Sequence, residues 1–319
     1  MSSIQPRRPL LPGVNVPLVA LFNAENEDLD IEAIRKHAER IAQAGVTSVP
    51  VQGSNGEAVH LTREERSLVT STVRKALDES GATHLPVVVG CGAQSVRETI
   101  LFCQDAFAAG GDYALVLPPS YYKTACTPEV LSGYFLSVAD ASPVPILIYN
   151  YPPVVGGIDL SSDVITALAK HPNIVGCKLT CGNTGKLNRI AHAADAATAT
   201  RTNSGWMCMG GSADFIVQAL VAGGSGVVVG LGNIVPKLCV KVFGLYKIGK
   251  LHEAQKLQAI LARADLVVGE GGVAGTKSGL QTWFGYGGVA RRPLPQLNPD
   301  VAAKFDNLLA EAVALEKGL

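Results

Sequence analysis

The sequence predicts an α/β fold, a (β/α)8 TIM barrel with a C-terminal helical extension. Three observations predict it: eight short apolar runs of strand character, a mean spacing of roughly 30 residues between them, which is one strand–helix unit, and helix start and stop signals in the gaps. The 319 residues are enough for such a barrel, which typically takes about 250.

The runs begin near Val14, Val46, Val87, Tyr113, Ile146, Ile174, Trp206 and Val227. Most are apolar on both faces, the pattern of parallel strands buried on two sides. Asp30 suits the cap of a first helix whose Ile31, Ile34, Ala38 and Ile41 share a face, with Gly45 as its left-handed stop. Thr62 to Glu65 and Ser95 to Glu98 both fit a capping box. Pro128 and Pro236 suit first-turn positions, and Gly110–Gly111 and Gly223–Gly224 close helices before the next strand. Right-handed crossovers of this length close most naturally into a barrel. The expected division is an N-terminal arm over 1–13, a barrel core over 14–235, and the last barrel helix plus the extension over 236–319. A doubly wound sheet would place a glycine-rich nucleotide loop after its first strand, and VALFNAENED contains no glycine.

Twenty-seven basic residues balance twenty-seven acidic ones, so the chain lacks the electrostatic footprint of a nucleic-acid or anionic-membrane binder. No apolar run approaches the roughly 20 residues of a membrane span. A cytoplasmic placement is expected, although Arg7, Arg8 and the lack of acid before Glu25 give the N-terminus a faint mitochondrial transit-peptide character. Pro6, Pro9 and Pro12 oppose a presequence helix, which favours a loose arm. Seven scattered cysteines without a C-x-x-C pair read as core residues, and the six histidines show no metal-ligand spacing, so no metal is expected.

In this fold the site forms where strands end. Lys178 ends the apolar run IVGCK, where desolvation favours the neutral amine, the form that attacks a carbonyl carbon. The bland reading, a lysine snorkelling into a rim salt bridge, weighs about equally on position alone. Tyr149, one strand away, is placed to move protons, and it rather than Tyr151 is expected to line the mouth. For Tyr121, Tyr122 or Tyr149 taken singly, rim packing is the default. Gly53-Ser54-Asn55-Gly56 offers backbone N–H groups as a carboxylate nest and the Ser54 hydroxyl for a relay, against the plainer reading of an ordinary turn. The glycines at 224, 226, 230 and 232 open no helix, so close backbone approach at the rim is expected there rather than dinucleotide binding.

Five motifs in order, V-Q-G-S-N-G-E from Val51, L-T-R-E-E-R from Leu61, P-P-S-Y-Y from Pro118, Y-N-Y-P from Tyr149 and G-C-K-L-T from Gly176, resemble the pyruvate-dependent class I aldolase family that includes dihydrodipicolinate synthase and N-acetylneuraminate lyase. The resemblance runs from about Val14 to Pro295. It implies that Lys178 forms a Schiff base with a 2-oxo acid, that Tyr149 is the proton shuttle, and that Ser54 and a Tyr122 from the neighbouring subunit complete a relay. It further implies that the Ser54 and Asn55 N–H groups hold the pyruvyl carboxylate, that the Val228 carbonyl faces the 2-oxo acid, and that Thr180 contacts a longer substrate. No cofactor is implied beyond the covalent imine, and the implied partners are a small 2-oxo acid, an aldehyde, and further copies of the chain in a dimer or tetramer.

Dihydrodipicolinate synthases carry an arginine shortly after the fifth-strand tyrosine, whereas this chain reads Pro152-Pro153-Val154-Val155-Gly156-Gly157. An unpartnered substrate carboxylate would bind several kcal/mol more weakly, which disfavours condensation with aspartate semialdehyde. The Gly-Ser-Asn-Gly-Glu turn, His171 to Gly176, and Trp283 to Tyr286 with Arg291 to Pro295 are most similar to 4-hydroxy-2-oxoglutarate aldolases and fungal 2-keto-3-deoxy-sugar-acid aldolases. The expected activity is reversible cleavage of a 4-hydroxy-2-oxo acid to pyruvate and an aldehyde. A 3-deoxy-sugar-acid dehydratase and a non-catalytic 2-oxo-acid sensor are the rivals on the same scaffold.

Overall fold

A computed structural model describes residues 8–319; of the expected N-terminal arm, residues 1–7 lie outside the described residues. The eight strands are β1 (Gly13–Asn15), β2 (Val49–Val51), β3 (Val87–Gly90), β4 (Tyr113–Val116), β5 (Ile146–Asn150), β6 (Ile174–Leu179), β7 (Met207–Gly210) and β8 (Gly226–Val228). All neighbours are parallel, in the order β1-β8-β7-β6-β5-β4-β3-β2. The seam between β1 and β2 is narrow: Asn15 bridges Ser48, and Thr47 N–H donates to Val14 O at 2.8 Å. Val46 to Ser48 therefore belong to the closure of the barrel rather than to the ladder of β2, which is why the second strand starts later than its apolar run.

The helices between strands are α1 (Ile31–Ala42), α2 (Arg63–Glu79), α3 (Val96–Ala108), α4 (Pro128–Ala141), α5 (Ser162–Leu168), α6 (Thr184–Ala193) and α7 (Ile216–Val221), with α8 (Pro236–Lys247) after β8. Asp30 caps α1 by accepting from Ala33 N–H, and Thr62 and Glu65 form the reciprocal box on α2. Ser95 caps α3, and Pro128 and Pro236 open their helices. Val88, Leu115, Leu147, Met207, Met209 and Val228 fill the barrel interior, and a separate apolar layer packs between strands and helices. Leu10 plugs the end where the strands begin: its N–H donates to Tyr113 Oη at 2.9 Å, while Arg8 pairs with the buried Asp112. Residues 8–12 are thus fastened to the barrel floor, so a loose arm does not describe them.

The extension consists of α9 (Leu251–Phe284), broken at Gly272 where φ is 54°, and α10 (Pro299–Lys317). Asp265 of α9 accepts from Ala213 N–H at 3.1 Å and Asp214 N–H at 3.2 Å, and Gln258 accepts from Val217 N–H at 2.9 Å. These bonds tie α9 across the loop that follows β7, so the extension forms one wall of the barrel mouth.

Candidate active site

Lys178 and Tyr149 are direct partners in the ladder between β6 and β5. Parallel pairing in this register brings both side chains to the same end of the barrel, and Lys178 Nζ donates to Tyr149 Oη at 3.0 Å. Both residues are buried, and among the described residues no carboxylate lies within 4 Å of Lys178 Nζ. Ser54 Oγ stands 3.5 Å from Tyr149 Oη. These three side chains come from the ends of β2, β5 and β6, which the fold converges on one point.

Two cavities of about 320 Å³ each meet at Tyr149. The first is lined by Asn55, Tyr149, Lys178, Thr180 and Val228, with Ser212 and Asp265 on the side of α9. The second is lined by Ser54, Glu57, His60 and Arg66, with Val154 and Leu294. Gly230 leaves room for two residues of the first cavity's wall: a Cβ there would stand 2.7 Å from Asn55 Nδ2 and 2.9 Å from Val268 Cγ1.

Backbone geometry marks the turn after β2. Gln52 and Glu57 bracket Gly53 to Gly56 with φ of 56° and 49°, a costly conformation for residues with a Cβ. The strain is held in place by burial and bonding. Gln52 Nε2 donates to Arg66 O and to Thr70 Oγ1, and Glu57 Oε1 accepts from Lys277 Nζ at 2.6 Å. Glu57 Oε2 also accepts from the Arg291 N–H at 2.9 Å, so α9 and the segment after it clamp the turn. Among the described residues, the amide N–H groups of Ser54 and Asn55 have no acceptor, which leaves them available to an anion.

Six of the seven candidate residues lie at this mouth: Lys178, Tyr149, Ser54, Asn55, Thr180 and Val228. Tyr122 does not. It is 75% exposed, packs edge-to-face on Tyr121 at 5.1 Å, and lines neither cavity of its own chain. Tyr151, set apart from the mouth by the sequence reading, stacks on Tyr149 with ring centroids 5.8 Å apart and lines the Lys178 cavity. Residues two apart along a strand direction share a face, and Tyr151 follows directly on the last residue of β5, before the turn that opens at Pro152. Lys123 approaches Gly157 from the preceding loop, beside the segment where the family's arginine is missing, but it lines neither cavity.

Asp265 and Ser212 escaped the sequence reading. Nothing in the helical pattern of α9 separates Asp265 from a solvated charge, because its burial depends on the loop after β7. Lys277 carried a fainter signal, as the only basic residue between Arg263 and Arg291. Burial pushes the Asp265 carboxyl up to about 6, opposed by its bond from Ser212. Burial also lowers Lys277, opposed by the charge of Glu57. Among the described residues no cluster of three or more His, Cys, Asp or Glu is arranged to hold a metal ion.

The dihydrodipicolinate synthetase family matches residues 10–312. The chain belongs to that family. The barrel with its C-terminal helices is the family's fold. The chain is 54% identical over 312 residues, 98% of each chain, to an Emericella nidulans protein named "Probable 4-hydroxy-2-oxoglutarate aldolase, mitochondrial". It is 50% identical, over 98% of this chain and 99% of the other, to the L-threo-3-deoxy-hexylosonate aldolase of Hypocrea jecorina. A solved dihydrodipicolinate synthase family structure from Coccidioides immitis superimposes with a TM-score of 0.85 at 33% identity, covering 99% of this chain and 100% of that one. These relatives make the chain an enzyme of the pyruvate-dependent lyase type. No helix among the described residues is long and apolar enough to cross a membrane.

Proposed function

We propose that the chain cleaves a 4-hydroxy-2-oxo acid, reversibly, through an imine on Lys178. The observation that carries this reading is a buried lysine, free of any carboxylate, bonded at 3.0 Å to a tyrosine on the adjoining strand. Both neighbours named as aldolases act on substrates of this class by their names, which supports the reading.

The Lys178 amine adds to the C2 carbonyl, and loss of water gives the protonated imine. The C3–C4 bonding pair then moves into that imine, leaving an enamine, while the C4 hydroxyl proton passes to Tyr149 and on through Ser54; the aldehyde departs. A proton returns to C3, water hydrolyses the imine, and pyruvate leaves. The protonated imine is the electron sink, so this route calls for no metal or organic cofactor. The unpaired Ser54 and Asn55 amides would hold the C1 carboxylate, with Val228 and Thr180 beside the chain of the substrate. Tyr122 enters only from a second copy of the chain, since its own ring is exposed, and the reading therefore includes a homo-oligomer. The acid-free N-terminus, together with the mitochondrial designation of the Emericella relative, supports a mitochondrial destination over a cytoplasmic one.

Incubation with pyruvate and borohydride tests the mechanism. A pyruvyl adduct on the Lys178 peptide is expected, and a label elsewhere or nowhere removes the imine. Release of both pyruvate and an aldehyde separates cleavage from dehydration, which would release neither.

A further inference from the structure

Asp265 has a divided carboxylate. Oδ2 accepts from Ser212 Oγ and from the N–H groups of Ala213 and Asp214, which fixes the loop after β7. Oδ1 has no partner, although the residue is 7% exposed and sits in the wall of the Lys178 cavity. Two further buried polar atoms without partners, Asn55 Nδ2 and Thr180 Oγ1, belong to residues lining the same cavity. These three residues line one cavity, and each keeps a buried polar atom without a protein partner, a set that a ligand able both to donate and to accept would satisfy.

The charges narrow the choice. Among the described residues, Lys178 is the only Lys, Arg or His lining this cavity, and its amine is committed to C2. The amides of Ser54 and Asn55 are committed to the C1 carboxylate. A second carboxylate at the far end of the substrate would meet Asp265 and the exposed Asp214 with no cation to receive it. Burial, which raises the Asp265 carboxyl, still leaves it anionic at neutral pH, in a place where an unmet acceptor is costly.

We propose that Asp265 is a specificity-determining residue, accepting a hydrogen bond at Oδ1 from a hydroxyl on the aldehyde half of the substrate and repelling a carboxylate there. The substrate class is then a polyhydroxylated 3-deoxy-2-oxo acid rather than a 2-oxo dicarboxylate. This inference rests on the imine reading above.

Asp265→Asn is the discriminating variant. Its amide oxygen can still accept from Ala213 and Asp214, so the loop keeps its cap, while the open acceptor becomes a donor and the charge is lost. The measurement is kcat/KM for a 2-keto-3-deoxy-hexonate and for 4-hydroxy-2-oxoglutarate, on wild type and variant. The hexonate value is expected to fall by about 10- to 100-fold, the worth of a hydrogen bond to a charged group, and the dicarboxylate value to rise. Equal losses on both substrates would reduce Asp265 to a loop cap, and an unchanged ratio would equally overturn the proposal. Borohydride labelling of wild-type Lys178 is scored separately: no label removes the imine reading itself, whereas a normal label with an unmoved ratio removes only the role of Asp265.

Discussion

Three lysines are buried among the described residues, Lys178, Lys186 and Lys277, and their surroundings differ in one respect. Lys186 pairs with Asp159, and Lys277 pairs with Glu57 at 2.6 Å where both side chains are 1% exposed. Lys178 has only a phenol. A carboxylate beside a buried ammonium stabilises the charged form and fastens two elements, as Lys277 does between α9 and the turn after β2. Withholding the carboxylate leaves an amine whose remaining partner, Tyr149, can give and take protons. The same residue type thus serves as a strut or as a nucleophile according to what the neighbouring strand or turn presents.

Substituting each lysine breaks the comparison in a different observable. Lys178→Met is expected to cost at least ~10⁴-fold in kcat, with cooperative thermal unfolding retained, because the side chain removed holds no structural partner in place. Steady-state rates and a melting curve on the same preparation check both halves. A variant that keeps more than a few per cent of the wild-type rate would assign the chemistry to another group.

Lys277→Met should instead lower stability by about 3–5 kcal/mol, since it strands Glu57 as a buried charge. Glu57 would retain only the Arg291 N–H at 2.9 Å and His60 at 3.0 Å. Pairing it with Glu57→Gln removes that charge and is expected to recover a substantial part of the loss. Urea midpoints of the two single variants and the double variant measure the coupling. Additive losses would mean that the pair does not act as a unit, and that the clamp on the Ser54–Asn55 turn has another origin.

The two lysines also show what a sequence can disclose. Lys178 was legible because its surroundings are local: the apolar run before it is the strand that buries it, and the strand period sets where it ends. Tyr149, Ser54 and Thr180 follow by the same logic, since each stands at the end of a run. The pairing of Lys277 with Glu57 spans 220 residues, and that of Asp265 with Ser212 spans 53. No periodicity reports such contacts. The extension was legible as helices, but its role as a wall of the site depends on how α9 crosses the mouth. Tyr122 was legible only through the family motif, and a single chain leaves it on the surface.

The smallest effect concerns pH, and it contrasts Asp265 with another buried group, His37. Burial, aided by the charge of Arg40, drives His37 down to about 3. Its Nε2 donates to Asn233 Oδ1 at 2.9 Å, which leaves Nδ1 to accept from Tyr286 at 2.8 Å, so the neutral ring is the one the fold accommodates. The unfolded chain therefore binds the extra proton first as pH falls below about 6.5. The contribution of His37 is full above that value and is lost progressively toward pH 3. Asp265 runs the other way. Its carboxyl is raised from 3.8 to about 6 by burial, so the folded chain holds the proton more tightly, and stability from this group declines as pH rises through 4 to 6. Across that window the two slopes oppose each other. Asp265→Asn removes one of them, so its stability relative to wild type should grow between pH 4 and 6 and level off above, by on the order of 2–3 kcal/mol at most. Urea denaturation of both proteins at pH 4, 5, 6 and 7 measures the difference. A difference that stays flat across the series would mean that Asp265 ionises as easily in the fold as in the unfolded chain, and that the mouth of the barrel is wetter than its burial indicates.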